Sequence, residues 1–370
     1  MHVGTVAPSF RPVRAVLLVL AVLAALVGAS LPAAGRAHAA VPDRWGFAFL
    51  DNPTPPPGYV PDTTRQWGNW PSPATNPVKV DQTGVGSYVV HFPLIAGPGG
   101  IAHATAVGRT GNWCQIKGWG SAGTGQDVAV ACYKPGGAPA NTLFTVLYTT
   151  SSGTPSPPGG GYGYVYSNST GAVLTQYNST GATNAVSWGG SGSGIWKAWL
   201  PGLGSAGYDG NIEVTAVDAA QGARCKVADW APASSGQTVV VACFNAANAP
   251  YDTRWTLSYS LKRAVHGPAF PPNRFGYLWF NGGLPPGGNF NSTGPANTLA
   301  GSVPYTVTLP NVGVPSDTAQ ATAFGPGPDW CGLALPWNRS SGTVSLYTIC
   351  FNGGGSPVPG RFFTAYTSAV

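Results

Sequence analysis

The sequence predicts an all-β protein built from three tandem, disulfide-stapled, β-sandwich-like modules. Three observations carry that prediction. Charged residues make up only 8 % of the chain, against 53 glycines and 36 prolines. Six cysteines fall in three similar pairs, and a set of strand-like motifs recurs about every hundred residues. Helices usually place Glu and Lys on their wet faces, yet Glu213 is the only glutamate here. Gly, Pro, Thr, Val and the aromatics suit turns and strands instead.

The repeat is read from anchors that stay in register. Each copy opens with an aromatic-Gly-aromatic-x-aromatic strand: Trp45 to Phe49, Tyr162 to Tyr166 and Phe275 to Trp279. A later strand ends in an apolar residue and proline, at Pro93, Pro201 and Pro310, spaced 108 and 109 residues apart. Ala106-Val107, Ala216-Val217 and Ala323-Phe324 mark the next strand. Phe144, Trp255 and Phe362 each lie 12 residues past the second cysteine of their copy, and Tyr148, Tyr259 and Tyr366 lie 16 past it.

The cysteine strands alternate with period two, so Val128, Val130 and Cys132 share a face, as do Val239, Val241 and Cys243. Cys114 and Ile116 do the same in the preceding strand, and a Gly/Ser-rich loop joins the two. A β-hairpin bridged near its open end follows. Six cysteines allow fifteen connectivities, and the repeat selects Cys114–Cys132, Cys225–Cys243 and Cys331–Cys350.

Arg11 and Arg14 precede an uncharged, mostly apolar run from Ala15 to Gly35, followed by Ala37-His38-Ala39. That is the pattern of a cleaved secretory signal over residues 1–39, with a retained membrane anchor as the alternative. No later stretch is apolar and long enough to span a bilayer, so no membrane span is expected after signal removal. Secretion suits paired cysteines. Module 1 then covers 40–153, module 2 covers 154–266 with a linker at 154–161, and module 3 covers 267–370 with a linker at 267–273. The proline-rich linkers favour separate sandwiches over one closed body with pseudo-threefold symmetry. The Asn-Ser-Thr segments at Asn168, Asn178 and Asn291 read as turns.

Composition also narrows function. Loss of Arg11, Arg14 and Arg36 with the signal leaves 15 of the 18 basic residues against 12 acidic ones, a balance of +3. The basic residues are scattered, whereas phosphate neutralisation needs them clustered, so nucleic acid is not an expected partner. No Gly-x-Ser-x-Gly elbow occurs. No Cys-x-x-Cys, His-x-x-x-His or calcium-loop spacing occurs either, and neither metal nor cofactor is implied. Glu213 alternates with Val214 and Ala216 and reads as solvent-facing, with Asp209, Asp218 and Asp229 as the nearest acids for a glycosidase pair. His91 and His103 read as surface or edge residues that could be neighbours across a hairpin, leaving no convincing catalytic set.

Aromatics are the remaining lead. Trp119, Trp230 and Trp337 recur just after the first cysteine of each pair, at the mouth of a Gly-rich loop. Trp113 and Trp330 directly precede that cysteine, where the middle copy has Arg224. Exposed rings stack on sugars and other planar apolar surfaces, which makes these five tryptophans candidate binding residues. The alternative for each is core packing, and for the strand stripes core packing is the favoured reading.

The Gly-x-Tyr-x-Val-x-Phe pattern at Gly86 to Phe92, the Val-x-Val-x-Cys strand and the closing Phe/Trp-x-x-x-Tyr together resemble uncharacterised secreted β-repeat proteins of actinobacteria. The resemblance spans the mature chain, implies no activity and transfers no functional residue. The expectation is a secreted, noncatalytic binding or surface-associated protein. Its expected ligand is an extracellular polysaccharide or cell-envelope polymer, bound with avidity by three linked copies. An extracellular hydrolase and a protein-binding inhibitor or adhesin are the alternatives. The sequence does not define the oligomeric state.

Overall fold

A computed structural model describes residues 1, 2, 4, 43–150, 159–269, 273–284 and 286–368. The segment expected to be a signal lies outside the described residues apart from residues 1, 2 and 4, as do most of the first linker and the centre of the second. The remainder, Val41–Val370, forms one compact unit. Strands dominate it, and a single 3-10 turn at Thr63–Arg65 is the one helical element among the described residues.

Each copy contributes eight principal strands. In copy 1 these are β1 (Trp45–Leu50), β2 (Gln66–Gly68), β3 (Lys79–Gly84), β4 (Ser87–Phe92), β5 (Ile101–Val107), β6 (Trp113–Ala122), β7 (Gly125–Tyr133) and β8 (Leu143–Thr149). Copy 2 has β9 (Gly161–Ser167), β10 (Val173–Asn178), β11 (Ala185–Trp188), β12 (Ile195–Pro201), β13 (Asn211–Val217), β14 (Ala223–Ala233), β15 (Gly236–Asn245) and β16 (Arg254–Leu261). Copy 3 has β17 (Phe275–Phe280), β18 (Gly287–Asn291), β19 (Thr298–Gly301), β20 (Tyr305–Leu309), β21 (Asp317–Phe324), β22 (Trp330–Leu333), β23 (Asn338–Ser340), β24 (Thr343–Phe351), β25 (Pro357–Val358) and β26 (Arg361–Ser368). The short β23 and β25 both flank β24.

Within copy 1, β5-β8-β1-β2 and β6-β7-β4-β3 are two four-stranded half-sheets. Val80, Tyr88, Val90, Phe92, Val128, Val130, Phe144 and Val146 fill the space between them. This is a sandwich, and the same order recurs in copies 2 and 3. The predicted disulfides hold: Cys114–Cys132, Cys225–Cys243 and Cys331–Cys350 bridge directly opposed residues with Cα atoms 4.0–4.1 Å apart. The closing tyrosines each tie down a loop of their own copy. Tyr259 Oη donates to the Asp209 carbonyl at 2.6 Å, Tyr366 Oη to the Val314 carbonyl at 3.2 Å, and Tyr148 Oη to the Gly99 carbonyl at 3.3 Å. Asn168, Asn178 and Asn291 are turn residues as read, each accepting from the backbone N–H two positions on.

The sandwiches are not separate, which corrects the reading of the proline-rich linkers. The second half-sheet of copy 1 continues into the first half-sheet of copy 2, that of copy 2 into copy 3, and that of copy 3 back into copy 1. Three continuous sheets result, and every copy shares a sheet with each of the other two. The seams are parallel and equivalent: Val217 opposes Ile116, Phe324 opposes Val227, and Val107 opposes Leu333. Beside each bridge one backbone bond crosses the seam, from Asp218 N to Ile116 O, Gly325 N to Val227 O and Gly108 N to Leu333 O, at 2.7–2.9 Å. Proline-rich linkers set a break in the chain, and they do not decide whether strand edges beyond the break find partners.

The opening strands explain their own motif. Ala48 and Leu50 point into the core of copy 1, and a Cβ on Gly46 would come within 2.8 Å of the Phe92 ring. The alternating aromatics point the other way, toward the other copies. Phe47 packs with Tyr277 and Ala365 of copy 3, and Tyr162 and Tyr164 pack with Ile101 of copy 1. The stripes are therefore largely core, as favoured, but core between copies, with Trp45 and Tyr166 only half-buried.

Candidate functional site

The two aromatic motifs of the sequence meet at the seams. The last ring of each opening strand touches the tryptophan that follows the first cysteine of the preceding copy. Trp119 and Tyr166 lie 4.7 Å apart between centroids, Trp230 and Trp279 5.2 Å, and Trp337 and Phe49 5.4 Å. These are three versions of one site, and they differ in what lies over them.

At the seam between copies 2 and 3 the site is filled. The loop after β12 carries Tyr208, which stacks on Trp279 at 4.9 Å and meets Trp230 edge-on at 5.3 Å. Trp230 donates its indole N–H to Gln237 Oε1 at 2.7 Å and is 1 % exposed. At the seam between copies 3 and 1, the long loop after β1 delivers Arg65. Its guanidinium sits 4.6 Å over Trp337 and 5.6 Å over Phe49, and it donates to the Trp337 carbonyl at 2.8 Å. Trp337 is again 1 % exposed.

The seam between copies 1 and 2 stays open. The corresponding loop of copy 1 ends in Gly97-Pro98-Gly99-Gly100, which has no large side chain to lay over the ring. Copy 2 joins β9 to β10 by the tight Asn168 turn rather than a covering loop. Trp119 donates its indole N–H to the Gly99 carbonyl at 2.8 Å, which fixes the ring while leaving it half-buried. A cleft of about 390 Å³ results, with Trp119, Tyr166 and Leu174 as its apolar part and Lys117, Ser121, Thr175 and Arg254 as its polar part. Tyr166 is also half-buried, Leu174 and Arg254 are exposed, and Arg254 approaches the Tyr166 hydroxyl at 3.5 Å. The lining holds two cations and no carboxylate, histidine or cysteine. Such a surface can stack and hydrogen-bond a ligand, but it has no acid–base pair for hydrolysis.

Of the five candidate tryptophans, Trp119 alone presents ring surface to a cleft open to solvent. Trp230 and Trp337 are seam packing. Trp113 and Trp330 are buried against each other at 5.5 Å, where residues of all three copies meet. Sequence reasoning missed Tyr166, Lys117 and Arg254 as members of the site. Tyr166 was visible as a repeated ring, but its partner lies in another copy.

The candidate catalytic groups are placed differently from their sequence reading. Glu213 is buried rather than solvent-facing. Its strand β13 packs against β5 and β21, which occupy the same position in copies 1 and 3. His103, Glu213 and Gln320 are equivalent residues there, each met by a threonine of the following copy. Thr215 Oγ1 lies 3.1 Å from His103 Nδ1, Thr322 Oγ1 donates to Glu213 Oε2 at 2.6 Å, and Thr105 Oγ1 donates to Gln320 Oε1 at 2.7 Å. Burial pushes the Glu213 carboxyl up to about 7, against the opposing pull of hydrogen bonds from Thr322 and Asn211. Burial likewise pushes His103 down to about 3. No substrate reaches these groups.

His91 is not a neighbour of His103, since β4 and β5 belong to different sheets. It lies between Asp127, 2.7 Å from Nδ1, and Asp81, 3.1 Å from Nε2. With a carboxylate at each ring nitrogen, neither nitrogen is free to act as a base toward substrate. Among the described residues no cluster of His, Cys, Asp and Glu could hold a metal ion. No described helix is long and apolar enough to cross a membrane.

The fold and the site together define an all-β, disulfide-stapled body with an aromatic-floored cleft at one of three equivalent seams. Comparison with known families, curated proteins and solved structures finds no match.

Proposed function

We propose that the protein is a secreted, noncatalytic binding protein whose ligand is an extracellular polysaccharide or cell-envelope polymer, held in the Trp119 cleft. The observation that carries this reading is the contrast among the seams: the same ring pair is covered by Tyr208 or Arg65 at two of them and left open at the third. A sugar ring offers an apolar face to Trp119 and Tyr166 and hydroxyls to Ser121 and Thr175. Lys117 and Arg254, with no acidic group in the lining, favour a polymer bearing carboxylates or phosphates. The three disulfides suit an oxidising extracellular compartment. One open site replaces the three expected, so avidity within a single chain is not part of the proposal.

The test is co-sedimentation of the oxidised, signal-free protein with insoluble polysaccharides and bacterial cell walls, with released sugar assayed in the supernatant. Retention without product, lowered at least tenfold in Trp119→Ala and weakened by salt, is the expected result. Released sugar would assign the protein to the hydrolases. Absence of retention on every polymer would reject the reading and turn attention to a protein ligand.

A further inference from the structure

On the pseudo-threefold axis, where the three copies meet, lies a cavity of about 40 Å³. Equivalent residues of all three copies line it: Thr105, Thr215 and Thr322 together with Trp113, Arg224 and Trp330. The last three directly precede the first cysteine of their copies. Two are tryptophan and the third is arginine, so one copy replaces a ring with a cation.

Arg224 is 6 % exposed, with its guanidinium 4.4 Å from the Trp113 ring centroid and 4.1 Å from that of Trp330. Nη2 donates to Asn248 Oδ1, while Nε and Nη1 have no partner among the described residues. The indole N–H groups of Trp113 and Trp330 are buried and unpartnered as well. Every unpartnered side-chain group here is a donor. The threonine hydroxyls are already engaged with Gln320, His103 and Glu213.

Charge is unbalanced in the same way. Among the described residues no carboxylate comes within 4.0 Å of Arg224. The field of Asp329 reaches it, but Asp329 also serves Lys226, which lies near Arg361. A buried guanidinium without a counter-charge is costly, and a water molecule does not neutralise it. A cavity of this size holds one small ion or one water and has no room for a larger oxyanion with its shell.

We propose that the axial cavity binds one halide-sized anion, chloride, as the counter-ion of Arg224. The ion closes the centre of the molecule on charge as well as volume and ties the three copies together at the axis. This site is independent of the Trp119 cleft.

The experiment is thermal unfolding of the full oxidised protein at fixed ionic strength, with chloride exchanged for gluconate, which is too large for the cavity. The native protein is expected to lose several degrees of midpoint and to regain them saturably as chloride or bromide is added. Arg224→Gln and Arg224→Trp, the second restoring the residue of the other copies, should not respond to halide. A native midpoint indifferent to halide, or an Arg224→Gln response equal to the native one, would overturn the proposal. Should both variants fail to fold, anomalous scattering from native crystals soaked in bromide decides it: a bromide peak beside Arg224 is required, and its absence rejects the site.

Discussion

Trp119 and Trp230 occupy equivalent positions and are predicted to behave in opposite ways. Trp230→Ala removes a fully buried ring that touches Tyr208, Trp279 and Phe363. It should cost about 3–5 kcal/mol of stability. Trp119→Ala removes a half-buried ring and should cost about 1–2 kcal/mol while lowering polymer retention at least tenfold. Denaturant unfolding of the two variants beside the sedimentation assay separates ligand contact from packing. Glu213 gives a second residue-level prediction. Its folded value near 7 lies above its ordinary 4.5, so the unfolded chain releases this proton first and stability falls as pH rises from about 4.5 to about 7. His103 and His266 are held near 3, below their ordinary 6.5, and they remove stability as pH falls from about 6.5 to about 3. In the overlap the two histidines oppose two carboxyls, Glu213 and Asp317, the second pushed up by burial to about 6. Glu213→Gln copies what Gln320 already is in copy 3, so it should fit. The variant should match the native protein near pH 4.5 and exceed it by at most about 3 kcal/mol at pH 8. Calorimetry from pH 4 to 8.5 checks this, and an unchanged gap across that range would contradict it.

Among the elements, the disulfide hairpins β6–β7, β14–β15 and β22–β24 are where the sequence was most informative. The cysteine spacing, the Val-x-Val-x-Cys alternation and the intervening glycines are local signals, and the paired strands are neighbours in the chain. Bridge and register follow from them. Cys225→Ser with Cys243→Ser should lower stability by about 2–4 kcal/mol and leave the strands paired, as circular dichroism at low temperature would show. The seams were illegible for the opposite reason: Val217 meets Ile116 across 101 residues of chain, and nothing local marks either residue as an edge partner. The same ignorance misplaced Glu213. The outer face of a two-layer sandwich is ordinarily wet, so alternation with Val214 and Ala216 correctly puts Glu213 on the outer face. That face is dry here because two other copies cover it. The candidate site was half legible, since the repeated Trp119 was visible while its neighbours Tyr166 and Arg254 belong to another copy.

For the molecule as a whole, sharing every sheet between two copies means that no copy is a complete unit. Residues 159–267 expressed alone would expose the seam edges of β13 and β14 and the apolar rings of β9. Such unpaired edges aggregate, and this fragment should fail to give a sharp unfolding transition. The intact chain should unfold in a single step with equal calorimetric and van't Hoff enthalpies. Three separate transitions would show that the seams are weak.

The cyclic sharing of sheets also bears on the order in which the copies are strung together. Each seam is a head-to-tail contact, in which a surface on one copy meets a different surface on the next, and three such contacts close a ring. The closing contacts are made by strand edges, Ile116 with Val217, Val227 with Phe324 and Leu333 with Val107. Joining the end of β26 to the start of β1 with a segment like the one between β8 and β9, and opening the chain there instead, gives a circular permutant with the same three seams. By the same logic, a chain of one symmetric copy would complete the ring as a homotrimer. Fusion into one polypeptide frees the copies to diverge, and divergence is what allows one seam to hold an open cleft while Tyr208 and Arg65 seal the other two.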